Sequence, residues 1–588
     1  MLPSVFRKSL TSLLAATLLA GFPLFSHADE AQSLSFVGQY DPDQSAFLWL
    51  REANDLVGTS TLYGLGYWGM NSKIANVEGG LAWSGHDVFR TRQEGVQISL
   101  GPGISWTYTP NTLDQNSSVS YDPETAPGAS QIDGHATAVA GLLAGLGLDE
   151  EGNLLILGTG MAPLAEIQSG AIAVSWTNSG TFEITKESFL TPYLQFFTGG
   201  SEGAAGKMDV INSSWGYTDS TARSAEYAGI LDGLARENST VTFVASAGNS
   251  GSEATPGAPA AGFNGISVGA LEVNASGRPS QVAAFSSSAP LDFYNPVTQE
   301  TILNARAGVH IAAPGTGFVL PAYEETNPTA TDLYYINADG TSFAAPIVSG
   351  GVALLKDLAK TEMAANTAAL DSRVIRSVLM AGATRTAGWD NGQEQVSATL
   401  IRTTQALDYA VGAGLMNLTQ SVDIYRNAYT SEQRSALGTV GWTFDTVGDE
   451  DVSYFFLNSE TDIELTISLN WFAATDFDEA TESYTDLWFS DLNLSIWLID
   501  GDVFTTMVAE SASTYGNSEF LRITLAGNAR YGFLITNEGT IFDTTGNPVG
   551  FQSEDYAVAW SVQSVPEPGT TGLLVLSLAA LFFRRRRL

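Results

Sequence analysis

At 588 residues the chain is longer than one ordinary core encloses, so two or more domains are expected. Hydrophobic residues make up 44% of it, which excludes a disordered chain, and 26 basic against 63 acidic residues give a formal net charge of −37, which excludes nucleic acid as a partner. Cysteine is absent, so disulfides and thiolate metal sites are excluded as well.

In chain order, the first element is an address. Arg7 and Lys8 precede an apolar run that ends at Ser26-His27-Ala28. Small residues at the cleavage positions make residues 1–28 a secretory signal. Residues 29–64 follow as an N-terminal extension before the first strand. That strand lies in "KIANVEGG", Lys73 to Gly80. A carboxylate at the end of an apolar strand has no use in a core, so Glu78 asks for a partner. "HATAVAGLLAGL" predicts a helix of small residues beginning at His135. "DVINSSWG" and "TVTFVASAGN" read as strands ending in small polar residues, the second presenting Asn249 after Gly248. "SFAAPIVSGGVALLKDLAK" reads as a helix that opens on Ser342, with Pro346 tolerated in its first turn. Strands alternating with helices predict an α/β fold, a parallel sheet covered on both faces. From about Gly441 to Gln563 the pattern becomes short alternating strands separated by Asp, Asn and Gly, which predicts an antiparallel β-sandwich. The chain ends with Pro566-Glu567-Pro568, an apolar run from Leu573 to Phe583, and Arg584 to Arg587.

Histidine is scarce. Once His27 leaves with the signal, His86, His135 and His310 remain as general-base candidates. Taken singly, His135 reads as a structural residue before a helix, Ser342 as a helix cap and Asn249 as a turn residue. Taken together, "DGHATAVAGLLAG", "FVASAGNSG" and above all "GTSFAAPIVSGG" resemble the subtilases, the subtilisin-like serine peptidases, over roughly residues 65 to 425. The resemblance implies a triad of Glu78, His135 and Ser342 and an oxyanion hole completed by Asn249. It assigns "INSSWG", with Ser214, Trp215 and Gly216, to the substrate-aligning strand, and "GVHIAAPG" to a strand that makes His310 structural. In that chemistry Ser342 attacks once His135 takes its proton, the acid holds the imidazole in one tautomer, and Asn249 with the Ser342 N–H stabilises the oxyanion.

Two positions depart from the family pattern. Glu78 stands where the family has aspartate, and Ala136 follows the histidine where glycine is usual. Asp87 and Asp133 are the rival acids; Asp133, two residues before His135, is also placed to cap the helix. The C-terminal segment resembles the PEP-CTERM sorting segment of Gram-negative bacteria, which implies recognition by an exosortase and transient contact with a membrane. The implied domains are a peptidase domain over 65–435, a β-sandwich accessory domain over 436–563 and a sorting segment over 564–588. The implied protein is an exported serine endopeptidase at the cell envelope, with a polypeptide substrate and no cofactor required for catalysis. Calcium is common in such proteases, but the acidic clusters at Asp41–Asp43 and Asp476–Glu479 read as solvated faces, so no ion site is assigned. A binding protein that keeps the scaffold without the chemistry is the alternative, and an esterase or amidase a third.

Overall fold

The structure is a computed structural model. It describes residues 25–26, 35–39, 48–83, 86–89, 104–110, 118–120, 132–146, 159–176, 181–200, 203, 206–217, 222–274, 278–324, 332–455, 460–547 and 550–565. The signal segment (apart from residues 25–26), the Asp41–Asp43 cluster and nearly all of the C-terminal sorting segment lie outside the described residues.

A parallel sheet organises the first part of the chain, as its alternating pattern predicts. Five of its strands are β1 (Lys73–Glu78), β2 (Glu166–Ala171), β3 (Val210–Ser213), β4 (Thr242–Ser246) and β5 (Ile266–Val273), in spatial order β5-β4-β3-β1-β2. β6 (Ile311–Pro314) pairs in parallel with β5, and Ile104–Pro110 pairs in parallel with β2. In a strand, successive side chains face opposite ways. Ile74, Val210 and Val244 join the core under helices α1 (Gly134–Ala144) and α4 (Thr341–Glu362). Ala75, Val77, Ile211 and Phe243 join the core on the other face, under α2 (Lys186–Thr198) and α3 (Ala222–Glu237). The same alternation turns Asn76, Glu78, Asn212 and Ser214 toward α1 and α4. β1, β3 and β4 are buried on both faces, which is why they read as nearly continuous apolar runs with single polar residues in them.

α4 is long and apolar enough to cross a membrane, but its apolar window is buried inside the protein, so its hydrophobicity belongs to the core. The next helix, α5 (Ser372–Gly382), is buried along nearly all its length.

Two further sheets follow. One has the order Ala428–Tyr429, β7 (Val440–Val447), β13 (Glu554–Ser564), β8 (Ile463–Trp471), β11 (Ser518–Leu525). The other is built on β10 (Val503–Ser511), β9 (Ser483–Asp500) and β12 (Tyr531–Asp543). Leu465, Ile467 and Trp560 from the first meet Leu494, Ile496 and Phe533 from the second in one core, the layering of a sandwich. Much of the outward face of the first sheet does not meet water. It packs on α5, where Asn470 Nδ2 donates to Ser377 Oγ at 2.8 Å and Ser377 Oγ donates to the Ala557 carbonyl at 3.0 Å. Trp442, Phe520, Ala557 and Ala559 join the core of the α/β part. Short strands at Glu394–Gln395 and Ile401–Thr403 extend the second sheet, the latter parallel to β10.

Candidate active site

The alternation of β1 carries Glu78 to the face that α1 covers. Its side chain is wholly buried. Oε2 lies 3.3 Å from Nδ1 of His135, and Oε1 accepts the Ser214 N–H at 3.0 Å. His135 is the second residue of α1. Asp133 is the N-cap, and its carboxylate accepts the N–H groups of His135 and Ala136, both at 3.1 Å. This is the capping role open to it from sequence. Asp87, the other rival, lies in the short 3-10 turn Asp87–Phe89. Gly134 is required between cap and histidine, because a Cβ there would sit 2.1 Å from the Tyr335 hydroxyl. Ala136, where the family has glycine, is buried, and its carbonyl accepts Asn76 Nδ2 at 3.1 Å.

Ser342 is the second residue of α4, and Gly340 before it offers no side-chain cap. In that first turn the Thr341 N–H is taken up by Asn249 and the Phe343 N–H by the Gly340 carbonyl, so it is the Ser342 N–H that can turn to a ligand oxygen. The Ser342 hydroxyl donates to the Ser214 carbonyl at 3.0 Å. Ser214 thus touches two members of the constellation, its N–H on Glu78 and its carbonyl on Ser342. The ring of Phe343, next after Ser342, lies 5.7 Å from that of His135, which brings the imidazole to the start of α4.

Asn249 follows β4 through Gly248, whose φ of +106° lies in the region that favours glycine. Its Oδ1 accepts the Thr341 N–H at 2.9 Å and the Thr341 hydroxyl at 2.8 Å, while that hydroxyl accepts the Gly248 N–H at 3.1 Å. A backbone N–H can only donate, so the amide oxygen must face Thr341 and the NH₂ must face away. Thr341 thereby sets the orientation of Asn249, a role the sequence did not signal. Trp215 turns its indole into the opposite core, where Nε1 donates to Tyr193 Oη at 3.1 Å. Its ring therefore faces away from the side of the sheet that carries Glu78 and Ser342.

Asn76 and Asn212, within apolar strands, form a second polar layer behind the site. Asn212 Nδ2 donates to Asn76 Oδ1 at 3.2 Å and to Ser214 Oγ at 3.1 Å, and Asn212 Oδ1 accepts the Ser349 hydroxyl at 2.8 Å. A signal for this layer was present: an asparagine inside a buried strand needs partners.

Electrostatics follow from burial. Loss of water raises the Glu78 carboxyl above its ordinary range, and the adjacent His135 and the Ser214 N–H act against that. Burial works against a charged His135, but the adjacent Glu78 carboxylate and then Asp133 outweigh it, so its pKa is raised. The other two candidate bases, His86 and His310, are engaged elsewhere. His86 Nε2 lies 2.8 Å from the Leu333 carbonyl, and His310 Nδ1 accepts the Ser267 N–H at 2.9 Å. Among the described residues no group of three or more His, Asp or Glu side chains is arranged to hold a metal ion. Asp476 of the second acidic cluster is paired with Arg236.

Residues 93–414 match the Subtilase family. The chain belongs to that family. His135, Asn249 and Ser342 fall inside the matched residues of this subtilase, and Glu78 lies before them. Subtilases as a class are serine peptidases. Residues 564–587 match the PEP-CTERM protein-sorting motif. Among solved structures, fervidolysin from Fervidobacterium pennivorans, described as a keratinolytic enzyme related to subtilisin, is similar with a TM-score of 0.41 at 19% identity. That similarity covers 83% of this chain and 54% of fervidolysin, so the chain spans about half of that protein's length. No curated protein matches the chain.

Proposed function

We propose that this subtilase is an exported serine endopeptidase that works through an acyl-enzyme. The observation that carries the reading is the Glu78–His135 pair, 3.3 Å apart and buried, set against the start of the helix that bears Ser342. Ser342 is the nucleophile in this proposal. Its hydroxyl hydrogen leaves the Ser214 carbonyl for His135, whose proton-bearing Nδ1 faces Glu78. The imidazolium then gives the proton to the departing amine, and water repeats the sequence on the ester. Asn249 Nδ2 and the Ser342 N–H donate to the oxyanion. In a subtilisin the loss of such an asparagine costs roughly 10² to 10³ in turnover. The Ser214–Gly216 backbone pairs with the substrate chain. No cofactor enters the chemistry.

In the same reading residues 1–28 are removed on export, 65–435 form the peptidase unit, 436–563 an accessory β-sandwich, and 564–588 bring the protein to the envelope of a Gram-negative bacterium through a membrane-embedded exosortase. A fluorophosphonate probe tests the nucleophile. It should label Ser342 and no other serine, and Ser342→Ala should lose both labelling and casein cleavage. A folded, processed protein that takes no label would favour the scaffold that binds without cutting. Labelling with ester hydrolysis but no casein cleavage would favour an esterase.

A further inference from the structure

At the other end of the sheet from Ser342 lies a cleft between the α/β part and the β-sandwich. β4, β5 and β6 run parallel, and Asn249 follows the C-terminal end of β4, whereas His310 precedes β6 and its N–H donates to the Ser267 carbonyl near the start of β5. The cleft is narrow and open to solvent. Arg306, His310, Arg376 and Thr404 line one side, and Ser513 and Ser518 of the β-sandwich line the other.

Two guanidiniums are fixed in this cleft. Arg306, 9% exposed, stacks on the Phe263 ring at 3.8 Å and donates to the Ala261 carbonyl. Arg376, 4% exposed, donates to the Phe263 carbonyl at 2.7 Å and to Ser518 Oγ at 2.7 Å. Neither forms an ion pair among the described residues, and the buried Nε–H of each has no acceptor. The nearby carboxylate, Asp232, is occupied by the N–H groups of Phe263 at 2.9 Å and Asn264 at 2.7 Å. It offsets one of the two positive charges and leaves the other. His310 accepts at Nδ1, so its proton sits on Nε2 and makes the imidazole a further donor in the cleft wall. Buried cations and unpaired buried donors are costly unless an acceptor is supplied.

We propose that this cleft binds a monocarboxylate, held by Arg306 and Arg376 with His310 as an added neutral donor, and that its occupancy ties the β-sandwich to the peptidase unit. One negative charge balances the remaining positive one, and a planar carboxylate matches the guanidinium fork. A free small acid and the terminal carboxylate of a peptide share this chemistry.

The test is thermal unfolding of the purified chain carrying Ser342→Ala, which prevents self-digestion, titrated with acetate or with N-acetyl-diglycine at constant ionic strength. Ligand that binds only the folded state raises the melting temperature by mass action. A saturable rise of about 2 °C or more with acetate is expected, and it should vanish in Arg306→Gln. A rise with both compounds extends the site to peptide termini, and a rise with acetate alone restricts it to small acids. No rise with either compound, an equal rise in Arg306→Gln, or an equal rise with matched chloride overturns the proposal. If Arg306→Gln does not fold, saturation transfer from the protein to the acetate methyl group, competed by formate and not by chloride, decides the matter on the unaltered cleft. Its absence also overturns the proposal.

Discussion

The replacement of aspartate by Glu78 changes how the histidine is held. The longer side chain spans from the end of β1 to His135 and spends its second oxygen on the Ser214 N–H, so it is clamped on both sides. Glu78→Gln keeps the shape but can present an N–H where an acceptor is needed, favouring the wrong tautomer. A loss of turnover on the order of 10⁴ is expected, by analogy with the same change in another serine-protease triad. KM should move little, because the residue lies behind the imidazole. The pH profile gives an independent check. The base must be neutral, and the Glu78 carboxylate raises the His135 pKa, so the acid limb of kcat/KM should lie above the ordinary histidine range. Removing the negative charge destabilises the imidazolium, so residual activity in Glu78→Gln should show that limb shifted to lower pH. Glu78→Asp withdraws the carboxylate by one methylene and should be slower than the native enzyme, although aspartate is the family's usual acid. A fully active Glu78→Gln enzyme would rule the assignment out.

Among the elements, β1, β3, α1 and α4 are locked together by the Asn76–Asn212–Ser349 layer, which joins the strand of Glu78, the helix of His135 and the helix of Ser342. Its effect should appear as coupling. Asn212→Ala leaves Asn76, Ser214 and Ser349 without a shared partner, and buried groups deprived of partners cost about 1–3 kcal/mol each in stability. Urea unfolding should show the losses of Asn76→Val and Asn212→Val to be non-additive, since replacing both members removes the stranded group. Turnover should fall while KM holds, a split that mere loss of stability would not give. The elements themselves were legible in the sequence, because apolar runs closed by small polar residues and a small-residue helix each have one good structural reading. The members of the constellation were legible only through the family resemblance, since His135 or Ser342 alone reads as helix punctuation. What stayed hidden depends on meetings between distant segments: Thr341 against Gly248 and Asn249, Ser214 between Glu78 and Ser342, and the Glu394–Gln395 and Ile401–Thr403 strands on the sandwich sheet. Strands of two or three residues, largely exposed, carry too little periodicity to be read.

For the molecule as a whole, the excess of acid has a counterpart inside. Glu519 is buried, accepting from Ser513 N at 2.8 Å and from the hydroxyls of Ser511 and Ser513, and burial pushes its carboxyl up to about 8. Glu554 accepts from Ser490 Oγ at 2.7 Å and from Trp488 Nε1, and burial pushes it up to about 7. Burial also raises Asp232 and Asp491 to about 6 each. Each of these groups holds its proton more tightly folded than unfolded. Between the ordinary carboxyl range and these raised values the folded state binds more protons at these carboxyls, so their contribution to stability falls as pH rises, against an opposite contribution from buried His310 and Lys356, which burial lowers, Lys356 to about 7. The contribution is fully present below about pH 4 and is lost progressively up to about pH 8. Repulsion across a surface of formal charge −37 acts in the same direction as carboxyls ionise. The midpoint of urea unfolding, measured with Ser342→Ala to avoid self-digestion, should therefore be higher at pH 5.5 than at pH 8. Glu519→Gln keeps the hydrogen-bonding shape without a titrating proton, so it should flatten the slope between pH 6 and 8 while leaving the slope at lower pH in place. A midpoint that rises from pH 5.5 to 8, or a Glu519→Gln chain with the native slope, would show that the buried carboxyls do not control the pH dependence of this fold.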